Sequence, residues 1–314
     1  MGIKNAERDR SLFYVAAVCF GLIVIAIVIF LRVTLGKEEG QKQREISVIL
    51  YSAGTGGWES LLEGAKRAED DFSVNINFVT LREDATTQEC FASIEREVAG
   101  GAEGIVLAVP DYENLYKLWL GKKFSIPIVT VESGFDESTI THIAADDYEM
   151  GRLLAEEILE DYEKQPQLIV GLVRDEVSRE SVREREKGFL ETLEGKAKIM
   201  DMKDLEGYFL PDAAVALHKE ALLKLAEDTT SMMAYVPKYG IGSTAAAVAL
   251  LDQGRIEKLV FQNEFNMGYL AVEALLEEID NESHKHSQHI DYYCVDAVTL
   301  YESPYEKLLF PIVE

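Results

Sequence analysis

The chain has 314 residues, of which 47% are hydrophobic and 28% are charged, and its formal net charge is −25. This composition excludes a disordered chain and is sufficient for a large core divided between two lobes. Residues 1–44 contribute +3, so residues 45–314 carry −28, a charge that repels nucleic acid and anionic lipid.

The first feature along the chain is an uncharged apolar run at residues 11–31, SLFYVAAVCFGLIVIAIVIFL, whose length fits a membrane-spanning helix. A cleavable signal peptide has a shorter apolar stretch that ends in small residues, whereas this run continues directly into Arg32. A lipoprotein interpretation would place the lipid on Cys19, but the residues before Cys19 lack the usual leucine and small residue. We therefore expect a retained transmembrane anchor at 11–31, followed by a juxtamembrane linker at 32–44.

After the linker, short β-branched runs alternate with amphipathic segments of helical length. This alternation predicts βα units on parallel sheets that are buried on both faces. The strands predicted in the first half are Ile46–Tyr51, Val74–Leu81, Gly104–Val109, Ile126–Val131 and Thr141–Ala145. The helices predicted there are Trp58–Asp71, Thr87–Ala99 and Tyr112–Gly121.

A second series of βα units follows. Its predicted helices are Tyr148–Tyr162, Arg179–Leu193, Pro211–Ala226, Ser243–Leu251 and Phe265–Ile279. Its predicted strands are Leu168–Val173, Lys198–Met202, Met232–Val236, Lys258–Gln262 and the strand-like segment Tyr292–Leu300. The predicted fold class is α/β, with two doubly wound parallel-sheet lobes and a cleft at the carboxyl ends of their strands.

The loop after the first strand, residues 52–58, is rich in glycine and opens a helix, so its backbone amides are suited to a phosphate or carboxylate. It does not fit GxGxxG, because Glu59 stands in place of the third glycine, and it lacks the Lys-Ser/Thr pair of a P-loop. Trp58, at the end of the loop, either stacks on the apolar face of a ligand or packs between the lobes. The sequence leaves both roles open.

No catalytic or metal motif stands out. His284, His286 and His289 lie in a polar stretch that is typical of a solvated loop, and Cys90 and Cys294 show no spacing of a zinc site or disulfide framework. No serine or cysteine nucleophile has a recognisable partner in the sequence. We predict a protein that is not an enzyme and has neither a metal nor a cofactor.

Several segments, taken in order, resemble the type 1 periplasmic-binding-protein family, especially the ribose- and galactose-type sugar receptors of ABC transporters. The segments are IPIVTVES (126–133), HIAADDYEMGRLLAEEIL (142–159), VREREKGFLETL (182–193), QNEFNMGYLAVEAL (262–275) and LLFPIV (308–313). The resemblance implies two lobes that are joined by three crossovers and close over a small polar ligand. It implies a lobe I at about 45–145 and 264–290, and a lobe II at about 146–263 and 291–314.

The resemblance also implies the ligand contacts. It makes Trp58 the aromatic stacker, Glu132 the carboxylate after the fourth strand, and Asp146-Asp147 the polar pair of the first crossover. It makes Arg183 the arginine and Gln262 the glutamine of the second lobe. Carboxylates, amides and arginine together suit a polyol.

The chain departs from the family in the second lobe and beside the carboxylate. Ser133 replaces an arginine, and Lys238 and Tyr239 replace an Asn-Asp pair. One βα unit, with its aspartate, is predicted to be missing before Gln262. The predicted ligand-binding set is Trp58, Glu132, Asp147, Arg183, Lys238, Tyr239 and Gln262. The alternative is that Glu132, Arg183 and Gln262 are solvated loop residues.

The expected function is therefore an extracytoplasmic receptor for a sugar or a related polar metabolite. Residues 1–10 would be cytoplasmic, and the single-pass anchor would hold residues 45–314 outside the cell membrane. The receptor would deliver its ligand to an ABC permease or signal to a membrane partner such as a sensor histidine kinase, and the permanent anchor favours signalling. The alternatives are a degenerate receptor that binds only a protein partner, an enzyme on the same fold, and a sugar-responsive repressor. A repressor would need a DNA-binding motif where this chain has its apolar run, and we expect no nucleic acid partner.

Overall fold

The structure is a computed structural model. It describes residues 25–27, 43–52, 57–82, 85–108, 111–120, 122, 124–134, 140–174, 179–204, 210–227, 232–281 and 287–310. Residues 53–56 of the glycine-rich loop, His284, His286, Cys19 and the apolar ending 311–313 lie outside this set.

The chain divides into two units, residues 1–43 and 44–314. Residues 25–27 of the first unit are helical, and the rest of the predicted anchor at 11–31 lies outside the described residues. Among the residues that are described, no helix combines the length and the apolar content needed to cross a bilayer.

The second unit contains two six-stranded sheets among its described residues. The first sheet forms lobe I, and all of its strands are parallel in the order β11-β5-β4-β3-β1-β2. Its strands are β1 (Glu45–Leu50), β2 (Asn75–Thr80), β3 (Gly104–Ala108), β4 (Ile128–Val131), β5 (Thr141–Ala144) and β11 (Gln288–His289).

The second sheet forms lobe II in the order β12-β10-β9-β8-β6-β7. Its strands are β6 (Leu168–Val173), β7 (Ala197–Asp201), β8 (Ala213–Ala216), β9 (Lys238–Ile241), β10 (Lys258–Gln262) and β12 (Tyr292–Asp296). Only β12 is antiparallel within the described part of this sheet. The predicted α/β fold with two parallel-sheet lobes is thereby confirmed.

Helices cover the sheets on both faces, as the fully buried strand GIVLA of β3 requires. They are α1 (Glu59–Phe72), α2 (Thr87–Gly100), α3 (Tyr112–Leu120), α4 (Asp147–Asp161), α5 (Glu180–Leu193), α6 (Lys219–Glu227), α7 (Ala245–Asp252), α8 (Glu264–Asp280) and α9 (Tyr305–Leu309). Short 3₁₀ turns lie at Met202–Asp204, Met232–Tyr235 and Thr299–Tyr301. The chain passes between the lobes three times, from β5 to α4, from β10 to α8 and from β11 to β12.

In lobe II, α4 and α5 meet almost backbone to backbone at a glycine. A Cβ atom on Gly151 would lie 1.9 Å from the carbonyl oxygen of Arg185, a distance that no side chain tolerates. This close approach fixes Arg185 beside the first turn of α4, which begins at Asp147. The helix packing thus positions a charged pair that becomes important in the site.

The structure corrects the prediction for residues 211–236. The segment predicted as one helix, Pro211–Ala226, contains strand β8 before α6, and the segment predicted as a strand, Met232–Val236, is mostly a 3₁₀ turn. Alanine is a strong helix former, so the sequence of β8, AAVA, does not stand out from the helix that follows. Tertiary context overrides this propensity, because β8 is wholly buried between β6 and β9. No βα unit is missing before Gln262.

Candidate functional site

The two sheets present the carboxyl ends of their strands to a common cleft, which is where open α/β sheets bind ligands. The sides of the cleft touch directly. The Ser133 hydroxyl, after β4 of lobe I, donates to the Ser181 hydroxyl in α5 of lobe II at 2.8 Å, and the Ser181 amide donates back to Ser133 at 3.3 Å. This contact joins the lobes across the cleft.

Lobe I contributes an aromatic pair to the cleft. The indole N–H of Trp58 donates to the carbonyl oxygen of Tyr51 at 2.7 Å, and the two rings meet edge to face with centroids 5.0 Å apart. Trp58 precedes the first residue of α1, so the turn after β1 fixes both rings. Trp58 is 6% exposed, and its ring faces the cleft, where it contacts a side chain of lobe II.

Glu132 is the acceptor at the centre of the cleft. Its backbone φ is +62°, a left-handed conformation that is uncommon for a residue other than glycine and that clusters at functional sites. Its carboxylate accepts a hydrogen bond from the Tyr51 hydroxyl at 2.5 Å and lies 4.0 Å from Arg179. Burial opposes ionisation, but the charges of Arg179, Lys219 and Arg185 outweigh it, so the pKa of Glu132 is lowered.

Arg179 reaches from lobe II to lobe I. Its guanidinium makes two hydrogen bonds to the Glu220 carboxylate, at 3.2 and 2.9 Å, and a third to the Tyr51 hydroxyl. It also lies 5.1 Å from the centroid of the Tyr51 ring. Arg179 is thus a fixed fork of donors, ionised by its carboxylate neighbours.

A second buried pair lies deeper in lobe II. The Nε of Arg185 donates to the Asp147 carboxylate at 2.7 Å. Burial raises the pKa of Asp147 to about 6, and the nearby Arg185 charge limits the rise. The neighbouring Asp146 has a different role, because its carboxylate caps α4 by accepting from the Glu149 amide at 3.0 Å.

Lys219, like Arg179, reaches across the cleft from lobe II to lobe I. Its ammonium group donates to the Gly57 carbonyl, lies 3.9 Å from the centroid of the Trp58 ring and is 3.5 Å from a Glu264 carboxylate oxygen. Burial raises the pKa of Glu264, and the Lys219 charge opposes that rise.

Gln262 closes the floor of the cleft at the end of β10. The residue is 6% exposed, and its Oε1 has no hydrogen-bond partner within the described part of the chain. It lines a cavity with Glu132, Arg185, Lys219 and Glu264. The cavity has a volume of about 10 Å³, which is close to the minimum that one water requires.

The structure therefore brings together four of the predicted site residues: Trp58, Glu132, Asp147 and Gln262. Arg183 lies on the exposed rim, where it forms an ion pair of 2.7 Å with Glu113 of lobe I. This position is at the mouth of the cleft rather than inside it.

Lys238 and Tyr239 lie elsewhere in lobe II. The Lys238 ammonium donates to three backbone carbonyls of the turn before β9, and the Tyr239 hydroxyl donates to Asp161 at 3.0 Å. Both residues entered the predicted set because residues 232–236 were predicted to be the strand whose end reaches the cleft. That strand is β8, so His218 and Lys219 stand at the cleft instead.

The sequence did not indicate several members of the cluster: Tyr51, Arg179, Arg185, Lys219, Glu220 and Glu264. Arg185 differs from Arg183 by two positions on the same helix, which places the two on different faces, and only the packing of α5 on α4 decides between them. Recognition of β8 would have indicated Lys219, because it comes three residues after the end of that strand.

Comparison with known proteins agrees with this architecture. A carbohydrate transporter solute-binding protein from Agrobacterium radiobacter, in complex with D-arabinose, has a TM-score of 0.74 at 18% identity, over 86% of this chain and 100% of that chain. An ABC transporter solute-binding protein from Burkholderia graminis, also in complex with D-arabinose, has a TM-score of 0.73 at 16% identity, over 83% of this chain and 99% of that chain. A chain of a XylFII–LytSN complex has a TM-score of 0.66 at 17% identity, over 81% of this chain and 98% of that chain.

At these identities the structural similarities establish the fold alone. No curated protein sequence matches the chain. Residues 46–224, more than half of the chain, match the family described as periplasmic binding protein domain. The sequence match, the two-lobed fold and the cleft agree, and the chain belongs to the periplasmic binding protein domain family.

Proposed function

We propose that this chain is a receptor that binds a small polar molecule, of the sugar or polyol class, in the cleft between its lobes. One observation carries the proposal: charged acceptors and donors from both lobes converge at the carboxyl ends of both sheets, next to the Tyr51–Trp58 aromatic pair. Glu132 and Asp147 supply carboxylate oxygens, and Arg179 and Arg185 supply fixed N–H donors. A polyol offers hydroxyl groups to both types of partner and an apolar C–H face to an indole.

The orphan acceptor of Gln262 supports the same conclusion. A buried amide oxygen without a donor costs free energy, and such groups are rare unless a ligand or water satisfies them. A hydroxyl group of a bound polyol is a suitable donor. Two proteins of similar fold are complexes with D-arabinose, which adds a pentose to the candidates.

Ligand binding requires the lobes to separate. The cavity of about 10 Å³ is far below the roughly 300 Å³ of a typical small-molecule site. We therefore propose an equilibrium between a closed form and an open form, in which a ligand shifts the populations through contacts that it makes with both lobes.

A thermal-shift screen of the full-length chain in mild detergent tests this function. The panel contains pentoses, hexoses, polyols, nucleosides and autoinducer-like compounds. A ligand at a hundred times its dissociation constant adds about 2.7 kcal/mol to the unfolding free energy. The same ligand should stabilise a Lys258→Met variant, whose ion pairs with Glu157 and Asp161 lie outside the cleft, but not a Glu132→Gln variant. A panel that stabilises none of the three proteins contradicts the proposal.

We further propose that residues 11–31 anchor the receptor, with residues 1–10 in the cytoplasm and the two lobes outside. The uninterrupted apolar run supports this proposal, and so do Ile25 and Ile27, which are helical with 55% and 52% of their surface exposed. Protease added to intact cells should remove the lobes. Complete protection, combined with a cytoplasmic signal from a reporter fused after residue 314, contradicts this topology.

The proposed output is signalling to a membrane partner such as a sensor histidine kinase, with delivery to an ABC permease as the alternative. A permanent helix anchor in place of a free or lipidated receptor favours signalling, and XylFII, which has a similar fold, has been solved in a complex with LytSN. Crosslinking in the native membrane, followed by identification of the partner, separates the two outputs.

A second candidate is a receptor that binds only a protein partner. One observation favours it, because the cleft is filled by the chain's own charged side chains. In that case the screen gives no stabilising compound, and the partner found by crosslinking still binds a Trp58→Ala variant.

A further inference from the structure

The ammonium group of Lys219 enters the cleft from lobe II and ends against lobe I. It donates to the Gly57 carbonyl, lies 3.9 Å from the Trp58 centroid and 3.5 Å from Glu264, and its side chain is 5% exposed. Gly57 and Trp58 precede α1, and Glu264 opens α8, so all three partners belong to lobe I. One side chain of lobe II is therefore held by three groups of the other lobe.

These three groups are complementary to a cation. An indole face attracts an ammonium group through its quadrupole, and the attraction strengthens when water is excluded. The carbonyl oxygen accepts one of the ammonium protons, and the carboxylate balances the charge at 3.5 Å. Burial of the ammonium group without such partners would be costly.

The neighbouring strand end of lobe II is shaped to the stem of the lysine. Gly242, directly after β9, has a φ of +144°, and a Cβ atom there would lie 2.7 Å from the Cβ of Lys219. Any larger residue at 242 would push the stem out of its place. Gly242 after β9 thus leaves room for the stem of Lys219 after β8.

We propose that the Gly57 carbonyl, the Trp58 ring and the Glu264 carboxylate form a binding site for a primary ammonium group, and that Lys219 occupies this site to hold the lobes closed. The inference rests on the proposed function in one respect only: a ligand that stacks on Trp58 must first displace Lys219. A ligand with its own ammonium group would replace the lysine in kind. A neutral polyol would leave Glu264 without its cation.

Hydrogen exchange of the full-length chain in detergent, read by mass spectrometry, tests the closing role. In Lys219→Ala, peptides that cover residues 57–62 and 179–185 should exchange at least tenfold faster than in the wild type, because both segments face the cleft. Peptides that cover residues 94–100, at the end of α2 away from the carboxyl edge of the sheet, should not change and thereby report that the variant is folded. Lys219→Met keeps the volume without the charge and should also accelerate exchange, whereas Lys258→Met should not.

Chemical rescue tests the ammonium site itself. The Lys219→Ala variant lacks three methylenes and the ammonium group, which together match propylammonium. Added propylammonium should slow the exchange of the two cleft segments in this variant, and 1-propanol of similar size should not. Unchanged exchange in Lys219→Ala overturns the closing role. Equal effects of propylammonium and 1-propanol, including no effect of either, overturn the ammonium site. Neither readout uses a sugar, so a failed ligand screen leaves this test intact.

Discussion

Replacement of Glu132 separates the contribution of its charge from that of its backbone. Glu132→Gln keeps the size of the side chain and removes the charge that faces Tyr51 and Arg179. A hydrogen bond to a charged group contributes about 1.5–3 kcal/mol. Because Arg179 retains Glu220, we expect a loss of about 2 kcal/mol rather than the 3–5 kcal/mol that follows removal of a sole buried partner.

The backbone is tested by Glu132→Ala and Glu132→Gly. Both variants lose the same carboxylate, but alanine must adopt the φ of +62° at a cost of about 1–2 kcal/mol. Glycine avoids that cost and loses about 0.5–1 kcal/mol through its more flexible unfolded chain. We therefore expect the glycine variant to be more stable than the alanine variant by about 0.5–1 kcal/mol, the reverse of the usual order.

Urea unfolding followed by far-ultraviolet circular dichroism measures these differences, provided that the m values of the variants agree. An unchanged unfolding free energy in Glu132→Gln would show that the carboxylate has no buried partner. Equal or greater stability of Glu132→Ala relative to Glu132→Gly would refute the left-handed backbone at this position.

Three further outcomes are expected from other parts of the second unit. Burial lowers the pKa of His142, which lies in β5, to about 4. Below pH 6.5 the unfolded chain therefore takes up a proton that the folded chain does not, and about 3 kcal/mol of stability is lost as the pH falls to about 4. A His142→Gln variant should lack this slope in urea titrations from pH 7 to 4. Gly151→Ala should destabilise lobe II by more than about 2 kcal/mol, toward the upper end of the cost of an overpacked core, because its Cβ clashes with the backbone of Arg185. Gly100→Ala has open space around it and should be nearly neutral in the same assay. Arg183→Ala should change the unfolding free energy by less than about 0.5 kcal/mol, because its ion pair with Glu113 is exposed, and a larger loss would place the arginine inside the closed cleft.

The alternation of strands and helices was predictable because it depends on local pattern. A few residues are enough to predict a buried strand from a β-branched run such as GIVLA at β3, or a helix from an amphipathic stretch such as α4. Strand β8 did not, since four residues of AAVA carry no signal that distinguishes a strand from a helix. One misassigned strand moved the predicted contacts of lobe II from His218 and Lys219 to Lys238 and Tyr239.

The chemistry of the cleft was predictable only where a side chain directly follows a strand. Glu132 and Gln262 stand at or next to the ends of β4 and β10, so the edge of the sheet indicates their position. Arg179 and Arg185 lie in or beside a helix, and their direction depends on how that helix packs. The ionic partners of both arginines come from distant parts of the chain, and one sequence contains no record of such pairings.

The three crossings between the lobes also determine the order in which the protein can fold during synthesis. Lobe I needs α8 to cover α1 and β11 to extend its sheet, yet both are translated after nearly all of lobe II. The sheet of lobe II in turn lacks its edge strand β12 until after that. Neither lobe is complete in a nascent chain that stops before the last crossing, and the side of α1 that packs on α8 stays uncovered until residues 264–280 have been made. A fragment of lobe I that folds alone must therefore join β5 directly to α8 and omit the whole of lobe II.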